Sequence, residues 1–152
     1  MTLRYYPGLS VNMPTLINGL WKQQLGPIEL MIYTDTNVIL HYLLDDDPKL
    51  SREAKVRLET LKEKRTGIEV AAELVYVLAG VYRIPRKEIA DILLSLFSHN
   101  SWKIFQKDAV LGAIRLYGIS SIDFIDAWLV SLHRLTGIGI FSFDKKVQRL
   151  TR

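Results

Sequence analysis

From residue 31 onward, apolar and polar positions follow two alternating patterns: short β-like runs, and longer stretches in which apolar residues recur every three to four positions. Met31-Ile32-Tyr33-Thr34 reads as a strand that ends at Asp35, and Asp35 stands where it can cap a helix over Thr36–Leu44. That helix stops at the acidic turn Asp45-Asp46-Asp47-Pro48. A second helix is predicted from a Ser51 cap to about Lys64, with Ala54, Leu58 and Leu61 at helical spacing. Thr66–Val70 is a short β-branched stretch, read as the next strand, and an apolar helix follows over Ala71–Tyr82 with Leu74, Val77, Leu78 and Val81 on one face.

Pro85 suits the first turn of a helix running to about Phe97. Trp102–Phe105 reads as a strand, and Asp108–Tyr117 as a helix that Gly118 closes. Ile122–Leu135 is predicted helical with Gly137 as a left-handed cap, Ile138–Phe143 as the last strand, and Lys145–Leu150 as a final turn. Strands separated by whole helices require crossover connections, which make the sheet parallel and cover both its faces. The expected fold class is therefore α/β, a three-layer α/β/α arrangement around a short central parallel sheet.

Residues 1–30 break this pattern. They contain Pro7, Pro14 and Pro27, have no acidic residue before Glu29, and keep neither period. The chain is accordingly read as an N-terminal extension over 1–30 and a domain over 31–152. Two readings of the extension stand: an upstream start preceding a native Met31, which is favoured, or a genuine segment that packs on the domain or on a partner.

Composition narrows the chemistry. The 152 residues suffice for one ordinary core, and the absence of cysteine excludes disulfides, thiolate zinc sites and cysteine nucleophiles. No apolar run approaches the roughly eighteen residues of a membrane helix, and no secretory signal pattern opens the chain, so a cytoplasmic protein with no membrane partner is expected. A net charge of +4 eases approach to phosphate without specifying it.

In a parallel α/β sheet, ligands bind where strand ends turn into helices. Asp35 ends the first predicted strand, Asp144 the last, Asp126 lies near the start of the helix after Ser121, and Glu73 is placed in the first turn of the helix after the second predicted strand. Taken singly, Asp35, Asp123 and Asp144 are equally well read as helix caps or turn residues. Glu73 differs, because Val70, Ala71, Ala72 and Leu74 around it are apolar and an acid there calls for a partner. Carboxylates gathered at one edge repel one another, and a hard divalent ion such as Mg2+ or Mn2+ relieves that repulsion through oxygen ligands. His41, His99 and His133 are too scattered to suggest zinc.

These segments resemble the PIN-domain family. Met31-Ile32-Tyr33-Thr34-Asp35-Thr36-Asn37 is similar to its opening Asp-x-Asn motif, Ala72-Glu73-Leu74 to its second, Ile122-Asp123-Phe124-Ile125-Asp126-Ala127 to its third, and Phe141-Ser142-Phe143-Asp144 to its Ser/Thr-x-Asp fourth. The four occur in the family's order across residues 31–150. The resemblance implies a metal-dependent endoribonuclease, most similar to VapC-type toxins of toxin–antitoxin pairs, which are homodimers silenced by a cognate antitoxin protein. It implies Asp35, Glu73, Asp126 and Asp144 as catalytic and Mg2+- or Mn2+-binding residues, with Asn37 and Ser142 orienting them by hydrogen bonds. Asp123 is either a further ligand or a helix cap, and the cap is favoured. Lys145, Lys146 and Arg149 are candidates for steering an RNA backbone, or else a solvated basic turn.

Three other readings compete. A catalytically silent PIN-fold module that binds RNA or protein would keep the fold without turnover. A haloacid-dehalogenase phosphatase needs a second aspartate where Asn37 stands, and a response-regulator receiver needs an acceptor aspartate that Thr66–Val70 does not end on.

Overall fold

In a computed structural model, which describes residues 32–152, three short strands lie parallel in the order β1 (Ile32–Tyr33), β2 (Lys64–Thr66), β3 (Trp102–Ile104). Register pairs Tyr33 with Arg65 and Arg65 with Lys103, flanked by the pairs Lys64–Trp102 and Thr66–Ile104. Successive side chains of a strand point to opposite faces. Lys64, Thr66, Trp102 and Ile104 are therefore buried together, while Tyr33, Arg65 and Lys103 form an exposed row on the other face. Residues 1–30, and Met31 as the first strand residue, lie outside the described part of the chain.

Seven helices among the described residues flank this small sheet in a three-layer α/β/α fold: α1 (Thr36–Leu44), α2 (Pro48–Thr60), α3 (Ile68–Gly80), α4 (Arg86–Ser98), α5 (Lys107–Ile119), α6 (Phe124–Thr136) and α7 (Lys145–Leu150). The core takes Ile39 from α1, Leu74, Val75 and Leu78 from α3, Ile89, Leu93 and Phe97 from α4, Val110 and Ile114 from α5, Phe124 and Val130 from α6, and Val147 from α7. The apolar faces of α3 and α4 are thus used inside the domain. Arg86 fastens the start of α4 to the approach to α6: its guanidinium lies 3.7 Å from the Tyr117 ring centroid, its Nε donates to the Tyr117 carbonyl at 3.3 Å, and its terminal nitrogen donates to the Ile122 carbonyl. No helix among the described residues is long and apolar enough to cross a membrane.

Several expectations are corrected. Helix α2 starts at Pro48 rather than Ser51, because the Asp47 carboxylate accepts from the Lys49 and Leu50 amides at 2.9 Å and proline fits the first helical turn. Ser51 is buried one turn inside, and its hydroxyl has no hydrogen-bond partner among the described residues. The second strand is Lys64–Thr66, not Thr66–Val70, so α3 begins at Ile68. Ile68 and Val70 belong to the helix, while charged Lys64 and Arg65 pair into the sheet: Arg65 points to its exposed side, and the buried Lys64 ammonium is satisfied by the Leu61 carbonyl at 3.0 Å and Ser101 Oγ at 3.1 Å. Gly118 does not end α5. It lies within the helix where α4 comes close, and a Cβ built there would stand 2.6 Å from the Ala90 Cβ. Ile138–Phe143 forms no strand among the described residues, and Phe141 and Phe143 are 90% and 87% exposed.

Two glycine substitutions should therefore act in opposite directions. Gly118→Ala forces α4 and α5 apart and should lower stability by about 1–3 kcal/mol. Gly80→Ala meets nothing within 4 Å at the end of α3 and should be neutral or stabilising by up to about 1 kcal/mol. Thermal or urea unfolding of both variants checks the pair, and equal melting would contradict the close approach at Gly118.

Candidate functional site

Helix α3 buries Val70, Ala71, Ala72, Leu74, Val75 and Leu78, which leaves one outward stripe of Glu69, Glu73 and Tyr76. These positions recur every three to four residues and therefore share a face. Each holds a different element. The Tyr33 hydroxyl at the end of β1 donates to Glu69 Oε1. The Thr36 hydroxyl in the first turn of α1 donates to Glu73 Oε2 at 2.6 Å, and the Tyr76 hydroxyl donates to Asp123 Oδ1 at 2.8 Å in front of α6. The acid that the apolar run around Glu73 left unpartnered in the sequence has its partner in Thr36.

Three of the candidate acids sit at helix starts, where free amides and the helix dipole favour negative charge. Asp35 caps α1, its Oδ1 accepting from the Thr36 amide at 2.8 Å. Asp123 caps α6 by accepting from the Ile125 amide at 3.1 Å, with the same oxygen that receives Tyr76. Asp144 caps α7, its Oδ1 accepting from the Lys146 and Val147 amides at 2.7 and 3.0 Å. The Asp144 amide in turn donates to Ser142 Oγ at 3.1 Å, so Ser142 braces this turn. Asn37 is exposed in the first turn of α1.

Electrostatics divide the acids. Burial first, then the nearby charges of Asp144 and Asp123, push the Asp126 carboxyl above its ordinary range. The Val147 and Lys146 amides hold Asp144 below its ordinary range, with the Lys146 charge adding to the effect. Burial and the Asp123 hydrogen bond push the Tyr76 hydroxyl up to about 12, and the charges of Asp123 and Asp126 contribute further. Asp126, Asp123 and Asp144 therefore share one electrostatic neighbourhood, and Tyr76 reaches it from the stripe whose Glu73 binds the residue after Asp35.

The donors are all carboxylate or hydroxyl oxygens, the chemistry that suits magnesium or manganese. Among the described residues, no three His, Asp or Glu side chains stand together closely enough to hold a metal ion. Instead Glu73 is paired with Thr36 beside Asp35, while Asp126 feels the charges of Asp144 and Asp123 near the start of α6. Mutual repulsion among uncompensated carboxylates is a physical reason for them to stand apart.

Two placements differ from the sequence reading. Glu73 lies in the second turn of α3, because the helix begins at Ile68, so a partner side chain rather than the helix dipole holds it. Asp144 precedes a helix but follows no strand. Lys146 donates to Ser121 Oγ at 3.0 Å and to the Ser121 carbonyl at 3.3 Å, which ties α7 to the approach to α6. Thr36 and Tyr76 were missed. The signal for Tyr76 was its place three residues after Glu73 on an otherwise apolar helix.

Replacing Asp144 by asparagine removes its charge and keeps a good capping side chain. The Asp126 pKa should then fall toward the ordinary aspartate value. Carboxyl-detected NMR titration measures this directly, and an unmoved Asp126 would show that the two side chains are not electrostatic neighbours.

Comparison with known families matches residues 32–152 to the family described as PIN domain. Comparison with curated proteins gives no match, and neither does comparison with solved structures.

Proposed function

The chain belongs to the PIN-domain family, whose members suggest a nuclease-like role, and on that premise we propose that it is a metal-dependent endoribonuclease acting as the toxin of a toxin–antitoxin pair. The observation that carries this reading is the α3 stripe, which connects the acid-capped starts of α1 and α6 through Glu73 and Tyr76. That link between residues distant in sequence is what supports a shared acidic edge in this reading.

In this reading Asp35, Glu73, Asp126 and Asp144 hold one or two Mg2+ or Mn2+ ions. The metal supplies positive charge for the phosphodiester oxygens and for the attacking water. The protein's own contribution is positioning. Asp35 and Asp144 are fixed by helix-start amides, Glu73 by Thr36, and the Asp144 turn by Ser142. Asp123 serves as the cap and as the anchor for Tyr76, which sets the entry of α6 and so the place of Asp126. A cognate antitoxin and a homodimeric state come with the family resemblance.

A second reading, a catalytically silent module that binds RNA or protein, has one observation in its favour: no three acidic side chains are gathered at ligating distance among the described residues. Incubating RNA with the protein and manganese, with and without chelator, separates the two. Asp35→Asn and Asp126→Asn should each lower chelator-sensitive cleavage by roughly 100-fold or more without loss of folding, and Thr36→Val by about tenfold, given that orienting partners of metal ligands are typically worth about 10–100-fold. Unchanged cleavage in the two aspartate variants rejects this site, and a wild-type protein inert on all RNAs tested favours the binding module.

A further inference from the structure

The exposed row of the sheet carries charge of the opposite sign. Arg65 and Lys103 are cross-strand neighbours, both exposed, and with Lys107 they line a cavity of about 520 Å³. The Lys107 ammonium is fixed beneath it, donating to the His99 and Trp102 carbonyls at 2.9 and 3.1 Å. Burial and then the charge of Lys103 hold the Lys107 pKa below the usual lysine value, so the two cations feel each other. Among the described residues only Glu63 forms an ion pair here, 3.4 Å from Lys103. Asp108 also acts on Lys107, in the opposite direction, but does not line the cavity.

At the rim, directly after β3, the Phe105 side chain is 83% exposed. A phenyl ring exposed to water beside cations is costly by itself but is the composition of a surface that stacks bases and tracks phosphates. The carboxyl ends of β1 and β3 are two strand spacings apart, roughly 10 Å, so the cavity and the turn into Asp35 lie within reach of one polynucleotide.

We propose that the cavity between Arg65, Lys103 and Phe105 binds a segment of single-stranded RNA outside the acidic edge, its phosphates on the two cations and a base on the phenyl ring. The proposal rests on the RNA-cleaving reading and names where the substrate extends beyond the cleaved bond. An acidic peptide would meet the same cations, but only a polynucleotide carries a flat ring beside every backbone charge, whatever its sequence.

The test uses the full chain and a fluorescent mixed-sequence single-stranded RNA in EDTA, with anisotropy followed across a salt series. Arg65→Ala with Lys103→Ala should weaken binding by roughly tenfold or more. It should also flatten the slope of log affinity against log salt by about 1.4, since each phosphate contact on a single strand contributes about 0.7. Phe105→Ala should weaken binding by roughly tenfold with the slope retained. Should the alanine pair melt lower than wild type, Arg65→Gln with Lys103→Gln keeps the aliphatic stems and repeats the measurement. Unchanged affinity and slope overturn the proposal, as does polyglutamate displacing the RNA at equal charge concentration. With manganese, the cation variants should raise KM and leave kcat unchanged. A wild-type chain that never cleaves, yet loses RNA affinity through these substitutions, keeps the cavity and removes the nuclease.

Discussion

The outward stripe of α3 is the constraint on which the candidate site depends. A helix with this much apolar surface must be buried, and the core holds it through Leu74, Val75 and Leu78. Burial fixes its rotation, and rotation decides that Glu69, Glu73 and Tyr76 face β1, α1 and α6. Each hydrogen bond is worth only about 1 kcal/mol net. Their value is geometric: a core-anchored helix sets the relative positions of segments that are distant along the chain.

Charge placement follows from helix ends. An aspartate just before a helix gains amide donors and stays ionised readily, as Asp144 does. Asp126 sits inside α6, partly buried and beside two other carboxylates, and its charged form is disfavoured. Two acids of one neighbourhood are thus driven in opposite directions, Asp144 by the amides it accepts from and Asp126 by burial and the carboxylates near it. The charges of the sheet are of the other sign, with Arg65 and Lys103 neighbours across β2 and β3.

Much of this was legible along the chain. Helices α1 and α6 could be placed because their signals are local: Asp35 before the first turn of α1, and Gly137 after the last turn of α6 at φ 73°, although α6 starts at Phe124 behind its Asp123 cap rather than at Ile122. The three-layer class followed from alternation of strands and helices. The acids at helix starts were identifiable because capping is a short-range preference, and Glu73 stood out as a charge in an apolar run.

What the tertiary structure alone decided concerns relations between segments. Sequence could not tell that Lys64–Thr66, charged and short, pairs between two strands, since strand formation there depends on neighbours supplied by β1 and β3. Nor could it tell that Gly118 permits contact with Ala90 rather than ending a helix, because helix–helix distance has no local signature. The partners of Glu73 and Asp123 likewise lie 37 and 47 residues away. Composition and periodicity determined which segments form helices, which acids stand at their starts, and the class of fold. Packing of the apolar faces determined which of those acids became neighbours, because only burial fixes how each helix is turned.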